Sequence, residues 1–181
     1  IDLSALEPLV ACPHSPDNVK PAKSLALQKV DQVCIGSCTN SSYTDLMTVA
    51  AMLKGKTVCP EVSLTISPGS RQVLAMLSAN GALTDLLNAG ARVLECTCGP
   101  CIGMGQSPNS GGISLRTFNR NFEGRSGTRD AGVYLVSPET AAASCLTGYV
   151  TDPTTLPPVA PVEMPAHFAI NDNMIDLPAP E

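Results

Sequence analysis

Residues 30–53 read VDQVCIGSCTNSSYTDLMTVAAML. The first six, 30–35, are a short apolar run rich in β-branched residues and predict a strand. The next seven, GSCTNSS, are small and polar and predict a loop. From Tyr43 to Leu53 apolar residues recur at helical spacing. Thr39, Asn40 and Ser41 offer N-cap oxygens, and Gly55 is placed to end the helix.

Downstream the alternation repeats. A strand over 62–66 leads through Ser-Pro-Gly-Ser (67–70) into a helix over 71–79, closed by Gly81. A short helix over 83–89 ends at Gly90 and precedes a strand over 92–95. The Cys- and Gly-rich loop 96–112 follows, then a strand over 113–118 and the loop NRNFEGRSG at 119–127. A strand over 133–136 and a helix over 138–147, with Pro at its start, complete the series. Strands alternating with helices predict an α/β fold, with a mainly parallel sheet covered by helices on both faces. The three richest loops, GSCTNSS, CTCGPCIGMG and NRNFEGRSG, all follow strands, so they gather at one end of the sheet, where α/β folds bind ligands.

The flanks differ in composition. Residues 1–29 are Pro-rich and polar and read as an arm or linker. Residues 30–152 form the α/β domain. Residues 153–181 turn Pro-rich again and read as a linker. The chain starts at Ile1, which suggests a piece of something longer.

Composition narrows the function. Hydrophobic residues make up 44% and charged residues 15%, enough for one core; aromatics are only 3%, so that core rests on aliphatic residues. The net charge of −5 argues against a nucleic-acid partner. No apolar run is long enough to span a membrane, and no signal peptide is visible, which points to the cytoplasm. Eight cysteines in such a chain favour metal or catalytic use over a disulfide framework. Cys34 and Cys145 read as buried apolar thiols.

Cys98-Gly-Pro-Cys101 is a C-x-x-C, ambiguous by itself among a redox dithiol, half a zinc site and an iron–sulfur loop. The residues after it do not read as a helix, against the redox motif. A second pair is lacking, against structural zinc. Cys38, on another strand-end loop, adds a third thiol, and three thiolates suit a four-iron cluster with one iron left open. Iron–sulfur is the favoured reading, with zinc, or unliganded or redox thiols, as alternatives. Cys96 is a weaker fourth donor, and no role emerges for Cys59.

Asn119-Arg120-Asn121-Phe122-Glu123-Gly124-Arg125 brings two arginines into an acidic chain. Arginine pairs bidentately with carboxylates or phosphates. The ordinary alternative is ion pairing with Glu123 and Asp130. Beside an open metal, the arginines suggest a carboxylate substrate, and Asn119 a donor near the metal. Ser107 and Ser126 lack a histidine partner in sequence, which argues against a Ser–His–acid hydrolase. His14 and His167 lie in the Pro-rich flanks and read as surface residues. Ordinary helix capping accounts for SPGS.

Together IGSCTNSSYTDL (35–46), CGPCIGMGQSP (98–108) and TFNRNFEGRSG (117–127) resemble the aconitase superfamily, over about residues 1–155, in its third, cluster-bearing domain. The resemblance implies that Cys38, Cys98 and Cys101 hold a [4Fe–4S] cluster, that Asn119 hydrogen-bonds beside it, and that Arg120 and Arg125 hold substrate carboxylate. The implied substrate is a small tricarboxylate or 2-hydroxy diacid. The reaction is dehydration and rehydration, citrate to isocitrate through cis-aconitate, with the open iron as Lewis acid. Homoaconitase and 3-isopropylmalate dehydratase large subunits share much of the pattern and stand as alternatives. The family's serine base lies in a Gly-Ser-Ser-Arg motif that does not occur here. The resemblance therefore implies no catalytic base in this chain, a tail leading to a swivelling domain, and dependence on the remaining domains of the same protein. A non-catalytic metal-binding or regulatory module and a dithiol oxidoreductase are the rivals.

Overall fold

The computed structural model describes residues 1–176 and 178. Among these, seven strands form one sheet: β1 Leu9–Ala11, β2 Val19–Pro21, β3 Gln32–Ile35, β4 Ser63–Ile66, β5 Arg92–Val93, β6 Ile113–Arg116 and β7 Gly132–Leu135. Their spatial order is β2-β1-β7-β6-β3-β4-β5. The run from β7 to β5 is parallel, and β1 pairs antiparallel with β2 and β7. Four helices accompany it: α1 Tyr43–Leu53, α2 Arg71–Ala79, α3 Ala82–Ala89 and α4 Pro138–Thr147. The α/β class and the largely parallel sheet are as the sequence predicts.

The middle strand of the parallel run, β3, is buried at every position. Its side chains alternate between two unlike faces. Val33 pairs in register with Leu64 and Leu115, and Cys34 with Thr65 and Arg116. The Val33 face is apolar and packs on Leu46, Val49 and Leu53 of α1, Leu77 of α2, Leu86 of α3 and Ala141–Ala143 of α4. The Cys34 face carries Gln32, Ser114 and Arg116, all buried.

Helical cover was expected on both faces. Instead the helices pack side by side in the order α4-α1-α3-α2 within one core. Right-handed crossovers explain this. From β3 to β4 to β5 the chain moves one way across the sheet, with helices as connections. From β5 to β6 to β7 it moves the other way, so these connections fall on the opposite face. They are loops, 94–112 and 117–131. At the β3/β6 boundary, neighbouring strands send their chains in opposite directions, which opens a crevice at their C-terminal ends.

Local chemistry sets the helix ends. Ser42, one residue beyond the expected caps, holds α1 in a capping box with Asp45. Ser70 caps α2, and Ser137 with Pro138 starts α4. No strand was expected before residue 30, yet residues 9–21 form a hairpin that extends the sheet beyond β7. Three-residue strands in a Pro-rich segment carry too little alternation to be read.

After α4 the chain hooks back, with the Val150 N–H on the Gln28 carbonyl and the Val30 N–H on the Gly148 carbonyl. Residues 156–176 have no helix or strand but lie along the domain. Leu156, Val159 and Val162 pack on the core, and the Phe168 ring meets Tyr43 edge-on at 6.2 Å. Residues 177 and 179–181 of the segment read as a linker lie outside the described residues. Among the described residues no helix is long and apolar enough to cross a membrane.

Candidate metal centre

The loop after β3 is folded by its own small residues. Gly36 has φ +82°, a left-handed backbone that favours glycine, and a Cβ there would lie 2.2 Å from the Ser67 carbonyl oxygen. Its N–H donates to Thr117 Oγ1 at 2.8 Å. The Asn40 amide donates to the Thr117 carbonyl at 2.6 Å, and Ser41 Oγ to the Ser37 carbonyl at 2.5 Å. The two bonds to Thr117 tie the loop to the end of β6, the Gly69 N–H on the Ser41 carbonyl ties it to the end of β4, and Cys38 is left exposed at the crevice.

Cys98 caps the start of a tight 3₁₀ turn over Gly99–Ile102, which contains Cys101 and is closed by Gly103 in the left-handed region. The turn aims both sulfurs at Cys38. Cys98 Sγ lies 3.7 Å from Cys38 Sγ and 3.4 Å from Cys101 Sγ, and Cys101 Sγ lies 3.3 Å from Ser37 Oγ. Cys101 is buried, whereas Cys38 and Cys98 face solvent. Among the described residues these three thiols are the one cluster of three or more metal-ligating groups, all within 4.8 Å of one another.

The other cysteines stand apart. Burial pushes the Cys34 and Cys12 thiols up, and Cys145 up to about 12. Cys96 is raised by partial burial and by neighbouring Glu95. Neutral thiols at such sites are poor ligands and poor nucleophiles.

An all-sulfur set with no oxygen or nitrogen donor selects soft metals or an iron–sulfur cluster. One zinc ion with bonds of about 2.3 Å spaces its sulfurs about 3.8 Å apart, close to the spacing here. A cluster, with a separate iron for each thiolate, needs a wider triangle. The exposed Cys38 and Cys98 side chains have room to open it, so the donors fit a cluster as well.

The arginine loop follows β6 at the same end of the sheet. Asn119 and Arg120 are exposed; Arg125 is half-buried over the Phe122 ring at 5.7 Å. The ion pairs considered for these arginines do not form: Glu123 pairs with Arg129, and Asp130 accepts from Ser110. Among the described residues neither Arg120 nor Arg125 has a carboxylate partner, and no hydrogen bond links Asn119 to the three thiols. His14 and His167 are exposed. Ser107 Oγ donates to the Gly103 carbonyl, and Ser126 is buried.

Two residues escaped sequence reading. Asn121, fully buried between the arginines, donates to the Cys12 carbonyl at 2.9 Å and to that of Val133 at 3.3 Å. It fastens the arginine loop to β7 and the hairpin. Arg116 is fully buried beneath the cysteine turn. The signal for it was there: a charged residue in the middle of an apolar strand.

Fold and site together define an α/β domain whose three converging thiols, at a topological switch point, form a candidate metal centre. Residues 17–148 match the Aconitase family (aconitate hydratase), and the chain belongs to that family. It is 46% identical to a 3-isopropylmalate dehydratase large subunit of Moorella thermoacetica over 84% of this chain and 37% of the relative. It is 48% identical to a probable methanogen homoaconitase large subunit of Methanosarcina mazei over 84% of this chain and 38% of the relative. A homoaconitase large subunit of Thermus thermophilus is 45% identical over 86% of this chain and 38% of the relative. The chain thus spans under two-fifths of the length of these relatives.

Proposed function

We propose that this chain is the cluster-bearing part of a [4Fe–4S] hydro-lyase, with Cys38, Cys98 and Cys101 as the ligands. The observation that carries the reading is the convergence of three thiols, with no fourth donor among the described residues, on a solvent-facing crevice. When bound, such a cluster supplies an iron without protein thiolate, able to act as a Lewis acid on a substrate hydroxyl and carboxylate.

The chain's own residues divide the remaining work. Deprotonated Cys38, Cys98 and Cys101 hold the metal. Arg120 and Arg125, without carboxylate partners among the described residues, bind and orient substrate carboxylate bidentately. Asn119, exposed beside them, donates a hydrogen bond at the metal's rim. The catalytic base comes from elsewhere, because no Gly-Ser-Ser-Arg motif occurs here.

Citrate is the substrate put first on sequence grounds. The relatives' names favour the alternative, a 2-hydroxy diacid or tricarboxylate of the 3-isopropylmalate or homoaconitase type. Because those relatives are large subunits, the missing serine base is assigned to a separate small-subunit partner, in place of a further domain on this chain. The complex would work in the cytoplasm.

Anaerobic reconstitution with iron and sulfide, followed by metal and sulfide analysis, tests the ligands. Equal iron and sulfide with a brown chromophore is the expected result. One zinc per chain without sulfide would replace this reading with the single-ion one that the present sulfur spacing also suits. Turnover of 3-isopropylmalate or a homoaconitase substrate, only with the small subunit added, tests the remainder. Turnover by this chain alone would overturn the division of labour.

A further inference from the structure

The cysteine turn is not held by its own bonds alone. Arg116 Nη1 donates to the carbonyl of Pro100, inside the C-x-x-C, at 2.5 Å, and Nη2 to the Gln106 carbonyl at 2.7 Å. Nη2 also reaches Gln32 Oε1 at 2.8 Å, and Nε reaches Ser114 Oγ at 3.0 Å. The planar guanidinium thus stitches loop 94–112 to β3 and β6 on the polar face of the sheet.

This guanidinium is a buried cation. It is 0% exposed, and no carboxylate pairs with it among the described residues. A buried charge is costly unless an opposite charge compensates it. Desolvation lowers its pKa below the ordinary arginine value, and Cys34 and Cys101 are the ionisable groups beside it that oppose this. Cys34 lies deep in the sheet, whereas Cys101 sits in the turn whose Pro100 carbonyl the guanidinium holds.

We propose that Arg116 is a positioning residue of the metal centre: it anchors the Cys98–Cys101 turn through the Pro100 carbonyl and supplies the buried positive charge that a thiolate-bound cluster requires. The inference rests on the cluster reading above. Outer partners of metal ligands change metal retention by about 10- to 100-fold when removed.

The test uses the full-length protein, reconstituted anaerobically, with iron release to a ferrous chelator followed by visible absorbance. Arg116→Met should release iron about 10- to 100-fold faster than wild type. Arg116→Lys, which keeps the charge and loses the fork, should fall between them. Gln32→Glu and Gln32→Met separate charge from bonding. Both lose the bond from Gln32 Nε2 to the Ser107 carbonyl, but only Gln32→Glu keeps a partner for Nη2 while neutralising the cation. The proposal expects faster iron loss and a more negative cluster potential in Gln32→Glu than in Gln32→Met; a bonding role alone expects the reverse order of iron loss. Wild-type retention in Arg116→Met overturns the proposal, as does Gln32→Met losing iron as fast as Gln32→Glu or faster. If Arg116→Met fails to fold by circular dichroism, the Gln32 pair decides. A wild-type protein lacking both iron and sulfide overturns the cluster reading and this inference with it.

Discussion

Gly36→Ala is the sharpest probe of how the β3 loop is built. Two costs apply at this position. The left-handed backbone, φ +82°, costs a residue with a Cβ about 1–2 kcal/mol. The added Cβ would also sit 2.2 Å from the Ser67 carbonyl oxygen and 2.9 Å from Ser41 Cβ. Real Cβ atoms keep at least 3.0 Å from such neighbours, so the two loops must part by about 0.8 Å. Forced repacking of this kind costs about 1–3 kcal/mol. The expected loss is therefore about 2–5 kcal/mol, the sum of the two. Gly55→Ala supplies the internal control, because Gly55 has φ +68° and nothing within 4 Å of its added Cβ. It should lose only the backbone cost, about 1–2 kcal/mol. Urea unfolding followed by circular dichroism measures both, and comparison is valid where m is unchanged. Gly36→Ala should also bind metal more weakly, since the displaced loop carries Cys38. Equal destabilisation by the two substitutions would refute the claim that the Ser67 contact constrains the loop.

Serine replacement of Cys38, Cys98 or Cys101 should each abolish iron loading, while Cys96→Ser and Cys59→Ser keep it; iron loss in Cys96→Ser would show that the ligand set is wrong. Ser42→Ala breaks the α1 capping box and should lower stability by about 1 kcal/mol in urea, whereas Thr39→Ala should change little. Cys145 makes stability depend on alkaline pH. Its thiol ionises near 9.0 when exposed and at about 12 in the fold. The native state therefore keeps a proton that the unfolded chain loses. Its contribution is fully present below pH 9.0 and is lost as pH rises toward 12, at up to about 1.4 kcal/mol per pH unit. Cys145→Ala should flatten that decline in urea titrations between pH 8 and 10.5, and an unchanged slope would remove Cys145 as its cause.

What could be read in advance followed the strength of local chemistry. Helices α1 and α4 were placed to the residue, because Gly55, Ser137 and Pro138 punctuate their ends. The cysteine triad was also legible, because a C-x-x-C and a second polar loop both follow strands of one parallel sheet. Long-range geometry was not. The positions of Pro13 and Pro21 hid a hairpin of two three-residue strands. Periodicity marks which residues are apolar but not which side of a sheet a crossover takes, so the loop-covered face came as a correction. Asn121 resembles any polar loop residue until its carbonyl partners are visible. Arg116 looked like an interruption in a strand, since its partners lie far away in sequence, at Gln32, Pro100 and Gln106.

The hairpin that lengthens the sheet also decides how the protein behaves in crowded solution. Open sheet borders present unpaired N–H and C=O groups that invite strands from other molecules. On one border here the exposed strand is β2, Val-Lys-Pro, with an outward lysine and a proline that donates no hydrogen bond. On the other it is β5, only two residues long. Neither offers a template long enough to recruit a neighbour. A parallel sheet, slow to form because its pairings are distant in sequence, thus reaches its finished state with only short strands at its two margins.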